Sequence, residues 1–268
     1  MFVEIRLDTM PVMNTNNCHG WRNLAALTAL ALFAACICVF RAGSNRAGGS
    51  VFRAGGNNDE ISGLVDSVAP ASVAIECQKM LPIEDVEAGI SLLVPIQVRG
   101  SGVIVSEDGL IVTNHHIVAG AVDDSIVVTL YNGERAVVQV VGSDAASDIA
   151  VLKVRMKRLP FLRIGMAENL RRGQRVISLG NGGALGRNGD LAVTAGVISG
   201  VRRSIAPGRQ WYEMDAHIYP GCSGGPVCDM SGQVIGINVA TDNFLKPFFI
   251  PLDAANRAAL SKISGGRI

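Results

Sequence analysis

Short apolar runs, several of them alternating with polar residues, follow one another from about residue 61 to the end of the chain. Turn-forming pairs such as Asn132-Gly133 and Ser231-Gly232 separate these runs. Regularly spaced short strands of this kind are typical of an all-β sandwich or barrel. The predicted strands cover residues 102–105, 110–113, 125–131, 136–141, 149–154, 175–179, 192–199, 226–228, 233–240 and 248–251. A helical pattern is confined to residues 60–69 and 252–261.

A different apolar run covers residues 24–40 and is broken only by Thr28. It is long enough for a short transmembrane helix or for the hydrophobic region of a signal peptide. No Asp or Glu occurs between Asp8 and Asp59. Three interpretations stay open: an uncleaved anchor that holds the chain in a membrane, a cleaved secretory signal, and a presequence for a mitochondrion or plastid. We therefore divide the chain into a targeting or anchor segment at 1–58 and a globular domain at 59–268.

Composition and charge narrow the class of protein further. The 268 residues include 31 glycines but only 8 Phe, 3 Tyr and 2 Trp, which favours tight turns around an aliphatic core. The net charge of +1 conceals two opposed halves, because residues 59–148 hold 14 acids and 3 bases whereas residues 153–209 hold 12 bases and 2 acids. A basic half can bind nucleic acid or an anionic membrane. We prefer a solvated surface that attracts the acidic half, since no aromatic-interleaved nucleic-acid signature accompanies the charge.

The segment at 221–226 reads Gly-Cys-Ser-Gly-Gly-Pro and lies between two predicted strands. Small neighbours let the backbone bend so that the Ser223 hydroxyl is exposed, and they leave backbone N–H groups available to stabilise an oxyanion. A plain glycine-rich hairpin turn gives a similar pattern. Ser223 is therefore a candidate nucleophile, and it needs a base to be active.

Two adjacent histidines and an aspartate are the candidate partners of Ser223. Of the four histidines in the chain, His115 and His116 follow a predicted apolar strand. Neighbouring side chains on an extended segment point to opposite faces, so at most one of the two faces a shared site. Asp148 precedes another apolar strand, where an ionised carboxylate needs a partner such as an imidazole N–H, and Asp144 competes with it for this role. The divergence of the two rings also makes them poor joint metal ligands, and we predict no metal and no cofactor.

Three motifs in a fixed order carry the strongest signal. They read Gly-Ser-Gly-Val-Ile-Val at 100–105 followed by Thr-Asn-His-His-Ile-Val at 113–118, then Ser-Asp-Ile-Ala-Val-Leu-Lys at 147–153, then Pro-Gly-Cys-Ser-Gly-Gly-Pro at 220–226. Together they resemble the HtrA/Deg (protease Do-like) family of trypsin-fold serine proteases, and the resemblance extends from about residue 61 to about residue 259. It implies two six-stranded antiparallel β-barrels with the active site in the cleft between them, preceded here by an N-terminal hydrophobic helix.

The resemblance also implies roles for single residues. His116 falls on the general base, Asp148 on the acid that orients it and Ser223 on the nucleophile. The backbone N–H groups of Gly221 and Ser223 would form the oxyanion hole. The substrate backbone would pair by β-addition with a strand that contains Asn238, Val239 and Ala240.

This sequence departs from the family pattern in several places. Cys222 stands where the family usually has Asn, and a thiol beside the site suggests redox sensitivity. Alternatively, Cys222 and Cys228 serve only as small side chains or form a local disulfide. His217 replaces a usual Ala near the pocket for the side chain before the scissile bond, and it either biases specificity towards polar or acidic side chains or is an exposed loop residue. Residues 79–98 correspond to a modest activation loop. Only a short tail follows the last predicted helix, so we expect no PDZ domain.

Taken together, the motifs predict a serine endopeptidase that cleaves unfolded or damaged proteins through an acyl-enzyme. The alternative is a non-catalytic, chaperone-like module that holds polypeptides in the same cleft. An esterase of the α/β-hydrolase fold is disfavoured because its residue order is Ser, Asp, His, whereas the order here is His, Asp, Ser. The expected partners are unfolded or peptide substrates and not nucleic acid. Membrane anchoring by residues 24–40 and the trimerisation usual in the family are left open.

Overall fold

A computed structural model describes residues 58–85, 90–181, 191–203, 210–239 and 247–268 of the chain. The hydrophobic helix expected at 24–40 lies outside these residues, as does almost all of the targeting segment. Within the described ranges, no helix is both long enough and apolar enough to cross a membrane.

Antiparallel strands are the main elements of the described structure. The helices are α1 (Asn58–Val68), α2 (His115–Val118) and α3 (Ala254–Ser264), and a 3-10 turn covers Ala69–Ala71. The strands are β1 (Ser72–Asp85), β2 (Ile90–Ile104), β3 (Leu110–Thr113), β4 (Val127–Thr129), β5 (Arg135–Val137), β6 (Gln139–Asp144), β7 (Ile149–Lys153), β8 (Arg175–Asn181), β9 (Leu191–Arg203), β10 (Gln210–Met214), β11 (Pro226–Cys228), β12 (Val234–Val239) and β13 (Phe248–Pro251).

The N-terminal half forms one antiparallel sheet of seven strands in the order β5-β4-β1-β2-β3-β7-β6. The expectation of two closed barrels is confirmed only in part, because this half is an open sheet in the described residues. Val138 separates β5 from β6, and its amide donates to the carbonyl of Ile126, the residue before β4, at 3.0 Å. On either side of Val138, β5 pairs with β4 and β6 pairs with β7. The two edge strands are therefore consecutive in the chain, and no ladder between them closes the sheet in the described residues.

The C-terminal half closes into a six-stranded barrel in the order β10-β13-β12-β11-β8-β9. This part of the fold confirms the expectation drawn from the family resemblance. Strand β8 is buried on both faces, since Val176 lies in the barrel interior while Ile177 and Leu179 belong to the larger core shared with the N-terminal sheet. Burial on both faces explains why the adjacent residues Val176 and Ile177 are both apolar.

Helix α3 packs against the N-terminal sheet after the barrel is complete. It begins after Asp253, whose side chain accepts a hydrogen bond from the amide of Asn256 at 3.0 Å. It ends at Gly265, which has the left-handed conformation (φ 65°) that favours glycine at a helix C-terminus. Leu260 is fully buried in the larger core. Helix α3 thus attaches the C-terminal part of the chain to β6 and β7 of the N-terminal sheet.

Candidate active site

His116 lies in α2, directly after the fully buried strand β3. The extended conformation assumed for the two histidines is wrong, because the chain turns into a helix at His115. Asn114 precedes the helix with β-region dihedral angles, and its side-chain amide donates to the carbonyl of Asp148 at 3.1 Å. Successive residues on a helix also diverge, by about 100°. The His115 ring accordingly lies 3.0 Å from the hydroxyl of Ser143, away from the pair formed by His116 and Asp148.

Two side chains from β1 fix the backbone of α2. The ammonium group of Lys79 donates to the carbonyl of His116 at 2.7 Å, and the thiol of Cys77 donates to the carbonyl of Ile117 at 3.2 Å. Burial lowers the pKa of Lys79, because desolvation disfavours the charged form, and the neighbouring Cys77 opposes this shift. Burial raises the pKa of Cys77, so that its thiol remains a donor. These contacts position His116, and sequence reasoning assigned no such role to either residue.

Asp148 lies at the start of β7 and accepts hydrogen bonds with both carboxylate oxygens. Its Oδ1 accepts from the backbone N–H of His116 at 2.9 Å, and its Oδ2 lies 2.8 Å from Nδ1 of the same residue. The Asp148 carbonyl accepts from the amide of His115 at 3.1 Å. The backbone of Asp148 has φ 53°, a left-handed conformation that Asp tolerates better than most residues but that still costs on the order of 1 kcal/mol. Neighbouring contacts thus hold this carboxylate towards the imidazole.

Asp144, the competing carboxylate, is turned into its own loop. Its oxygens accept from the amides of Ala146 at 3.2 Å and Ser147 at 3.1 Å, and from the Ser147 hydroxyl at 2.5 Å. This local turn ends β6 and leads to Asp148. In the described structure, therefore, Asp148 and not Asp144 pairs with a histidine.

Ser223 lies in a tight loop between β10 and β11, and only 6% of its surface is exposed. Two glycines with positive φ shape the loop, Gly221 at 93° and Gly224 at 87°. The amide of Gly224 donates to the carbonyl of Asn238 at 3.0 Å, and the carbonyl of Gly225 accepts from the amide of Asn238 at 2.9 Å. The loop is thereby attached to the barrel strand β12.

The same loop also contacts the N-terminal sheet beside His116. The carbonyl of Ser223 accepts from the amide of Ser101 at 2.7 Å. A Cβ atom at Gly224 would overlap the carbonyl oxygen of Ser101 and the hydroxyl oxygen of Thr113. Since Thr113 precedes His116 by only three residues, this close approach brings the Ser223 loop to the end of β3 where α2 begins. His116, Asp148 and Ser223 therefore lie on segments that contact one another across the junction of the two halves.

The cysteines beside this loop are buried free thiols. Cys222 and Cys228 form no disulfide, so that alternative is wrong. Burial raises the pKa of Cys222 to about 11, because a thiolate is disfavoured in an apolar environment. Burial also raises the pKa of Cys228. A thiol with so high a pKa is a poor nucleophile at neutral pH, which argues against redox sensitivity at Cys222.

The predicted substrate-binding residues have different environments. His217 is exposed, and its ring packs edge-on against Tyr219 with 4.6 Å between the ring centroids. Asn238 is fully buried; its side-chain oxygen accepts from the Ser178 hydroxyl at 3.0 Å and its amide donates to the carbonyl of Leu179 at 2.9 Å. Val239 follows it in β12 and pairs with β13. Ala240 lies outside the described residues.

The described residues bring together no group of three or more His, Cys, Asp or Glu that could hold a metal ion. The arrangement instead offers an imidazole fixed by a carboxylate, beside a serine in a glycine-shaped loop. These groups are suited to nucleophilic attack on a carbonyl.

Comparisons with known proteins agree with this arrangement. A family model described as a trypsin-like peptidase domain matches residues 100–237, more than half of the chain. The chain is 40% identical over 179 residues to the "Probable periplasmic serine endoprotease DegP-like" of Chlamydia trachomatis, covering 64% of this chain and 35% of that protein. It is 41% identical over 165 residues to the protein of the same name from Halomonas elongata, covering 58% of this chain and 33% of that one. The chain thus spans about a third of the length of the curated relatives it matches.

Comparison with solved structures also shows similarity to HtrA-type proteases. The HtrA-type protease AlgW with a tripeptide superposes with a TM-score of 0.63 at 32% identity, covering 77% of this chain and 64% of that one. AlgW with a decapeptide superposes with a TM-score of 0.61 at 31% identity, covering 76% of this chain and 68% of that one. The resemblance to HtrA-type proteins seen in the motifs is confirmed, and the chain belongs to the trypsin-like peptidase family.

Proposed function

We propose that this chain is a serine endopeptidase of the HtrA type, which cleaves unfolded or damaged polypeptides through an acyl-enzyme. The observation that carries the proposal is the pairing of His116 Nδ1 with Asp148 Oδ2 at 2.8 Å, next to the loop that presents Ser223. Relatives named as serine endoproteases support it, and no observation favours a purely chaperone-like module.

The hydrogen bonds of Asp148 favour the ring tautomer that the mechanism needs. When Nδ1–H of His116 donates to Asp148, the other ring nitrogen, Nε2, carries a lone pair. Nε2 takes the proton of the Ser223 hydroxyl while Oγ bonds to the substrate carbonyl carbon, and the π electrons move onto the carbonyl oxygen. The C–N bond then breaks, and His116 gives its proton to the departing amine. Water hydrolyses the acyl-enzyme by the same steps, and Asp148 stabilises the imidazolium each time.

Backbone amides of the Ser223 loop would stabilise the developing oxyanion. We assign this role to the N–H groups of Gly221 and Ser223, which flank Cys222. The amide of Cys222 itself donates to the carbonyl of Tyr219 at 3.0 Å, so the amide between the two donors is already used. The amide of Gly221 donates to no acceptor among the described residues. One such donor is worth on the order of 10²–10³ in kcat.

An extended substrate would pair with the C-terminal end of β12. Both backbone groups of Asn238 are bonded to the Ser223 loop, so we assign substrate pairing to Val239 and to the residues that follow it. The AlgW structures contain a tripeptide and a decapeptide, which supports a peptide as ligand of this chain.

His217 is the residue proposed to influence side-chain preference. Its ring is exposed and rests on Tyr219, a few residues before Ser223, and an imidazole there would favour polar or acidic side chains over basic ones. Profiling of cleaved peptides tests this proposal. We expect His217→Ala to shift the preference, and an unchanged preference for small aliphatic residues in both enzymes would contradict it.

We also propose that the domain works outside the cytoplasm. The printed names of the relatives describe periplasmic proteins, which supports export of this chain. Anchoring by residues 24–40, an organelle presequence and trimerisation stay predictions. N-terminal sequencing of the mature protein tests the first two, because cleavage near residue 55 removes the apolar run.

Digestion of casein tests the enzymatic proposal against the chaperone alternative. We expect the wild type to digest casein and Ser223→Ala and His116→Ala to lose this activity. His115→Ala is the matched control, because its ring bonds to Ser143 and not to Asp148, and it should remain active. A wild type that suppresses aggregation without digesting casein would overturn the proposal in favour of the chaperone.

A further inference from the structure

Ser101, a polar residue in β2, is completely buried beside the Ser223 loop. Its amide donates to the carbonyl of Ser223, and its hydroxyl donates to the carbonyl of Gly221. The same hydroxyl oxygen accepts from the amide of Asn181, and the Ser101 carbonyl accepts from the hydroxyl of Thr113. Each of these four hydrogen bonds is 2.7 Å long. One residue of the N-terminal half therefore contacts the loop of the C-terminal half at two points.

The hydroxyl of Ser101 acts on the peptide unit that joins Gly221 to Cys222. The carbonyl of this unit is held by Ser101 at 2.7 Å, and its N–H is held by the carbonyl of Tyr219 at 3.0 Å. The unit lies between the two amides assigned to the oxyanion hole. The peptide unit that follows Ser223 is held as well, through the amide of Ser101.

Such a constraint is needed because Gly221 has little conformational preference of its own. A glycine with φ 93° has no Cβ atom to restrict rotation of the adjoining peptide units. Rotation about Gly221 would turn its N–H away from the position of the oxyanion. An external hydrogen bond to its carbonyl limits that rotation.

We infer that Ser101 is a positioning residue for the oxyanion hole: its hydroxyl holds the Gly221–Cys222 peptide unit so that the amides of Gly221 and Ser223 point to the same place. The inference deepens the proposed function and rests on it. The hydroxyl also connects the loop to the end of β8, because it accepts from the amide of Asn181. Because Ser101 is fully buried, we assign it a positioning role and not a catalytic one.

The experiment compares Ser101→Ala with the wild type on a fluorogenic peptide. We expect kcat to fall about 10- to 100-fold, less than for loss of an oxyanion donor itself, while KM changes by less than about three-fold. Binding of a peptide boronate, which forms a tetrahedral adduct with the nucleophile, should weaken by the same factor as kcat/KM, while binding of the product peptide should be unchanged. Ser264→Ala, which removes a buried hydroxyl from α3, should leave all these constants as in the wild type.

The outcomes separate this inference from the proposed function. An inactive wild type refutes the proposed function and the positioning role together. An active wild type with an unchanged kcat in folded Ser101→Ala overturns the positioning role alone, as does equal weakening of boronate and product. If Ser101→Ala does not fold, Ser101→Cys decides the matter, because a thiol of similar size is a weaker donor. We expect a partial loss of kcat in Ser101→Cys; a wild-type kcat, or failure of both variants to fold, overturns the inference.

Discussion

Replacement of Asp148 by Asn removes one charge and one acceptor while keeping the size of the side chain. Asp148 accepts from both the backbone amide and the ring Nδ1 of His116, at 2.9 and 2.8 Å. An amide has only one oxygen, so it can serve one of these donors but not both. If its NH2 group faces Nδ1, the ring must place its proton on Nε2 and can no longer accept the proton of Ser223.

The size of the effect follows from the geometry. The side chains of His116 and Asp148 are 37% and 22% exposed, so an effective dielectric constant of about 20 applies. At this dielectric constant, a pair of unit charges about 4 Å apart stabilises the imidazolium by roughly 4 kcal/mol. Loss of the hydrogen bond between Nδ1 of His116 and Asp148, and of the ring tautomer that it favours, adds about 1 kcal/mol to the activation barrier. We therefore expect kcat of Asp148→Asn to fall by roughly 10³- to 10⁴-fold. Asn tolerates a positive φ as Asp does, so the free energy of unfolding should change by less than about 1 kcal/mol.

Steady-state kinetics on a fluorogenic peptide measure kcat, and urea unfolding measures stability. Asp144→Asn is the matched control, because this carboxylate bonds to Ala146 and Ser147 and not to His116. We expect it to retain kcat within about five-fold. A decrease of less than ten-fold in kcat of Asp148→Asn, or a decrease of more than about five-fold in kcat of Asp144→Asn, would refute the reasoning.

Three further predictions concern the surroundings of the site. Gly224→Ala should abolish activity and lower the free energy of unfolding in urea by more than about 2 kcal/mol, because its Cβ would overlap Ser101 and Thr113. Gly265 also has a positive φ but has open space around it, so Gly265→Ala should lower this free energy by only about 1 kcal/mol. Equal losses in the two variants would contradict the expected overlap at Gly224. Because the pKa of Cys222 is raised to about 11, about one thiol in a thousand is ionised at pH 8, so iodoacetamide should label it only in urea, as peptide mapping can show. The hydrogen bond from Lys153 lowers the pKa of the exposed Asp108. This ion pair should add less than about 1 kcal/mol to the free energy of unfolding at pH 7, and the contribution should be lost as the pH falls below about 4. An Asp108→Asn variant whose free energy of unfolding differs equally from that of the wild type at pH 7 and at pH 3 would contradict this.

Strands with a clear apolar pattern could be predicted closely from the sequence. The predicted bounds 110–113, 226–228 and 248–251 are those of β3, β11 and β13. The sequence analysis does not predict the long strand β1, although buried and polar residues alternate along its first half, because Pro82 interrupts it and the family resemblance implies a loop at residues 79–98. The sequence does not predict the helix α2, since its four residues are too few for a helical period to be visible.

The residues of the site also differ in how far the sequence predicts their roles. His116, Asp148 and Ser223 each lie in a motif, and their residue types suggest the chemistry. Ser101 gives no such local signal, although it lies in the Gly-Ser-Gly motif, because its role depends on a hydrogen bond to Gly221, 120 residues away in the chain. Contacts at this separation arise only when the two halves pack together.

Reaction with a fluorophosphonate tests the central claim most directly, because this probe modifies a serine only where a general base activates it. The wild type should form one covalent adduct, located by mass spectrometry on Ser223, and heat-denatured protein should form none. Ser223→Ala and His116→Ala should not be labelled, while His115→Ala should be labelled at the rate of the wild type. A folded wild type that stays unmodified at Ser223, or a His116→Ala variant labelled as rapidly as the wild type, would contradict the account.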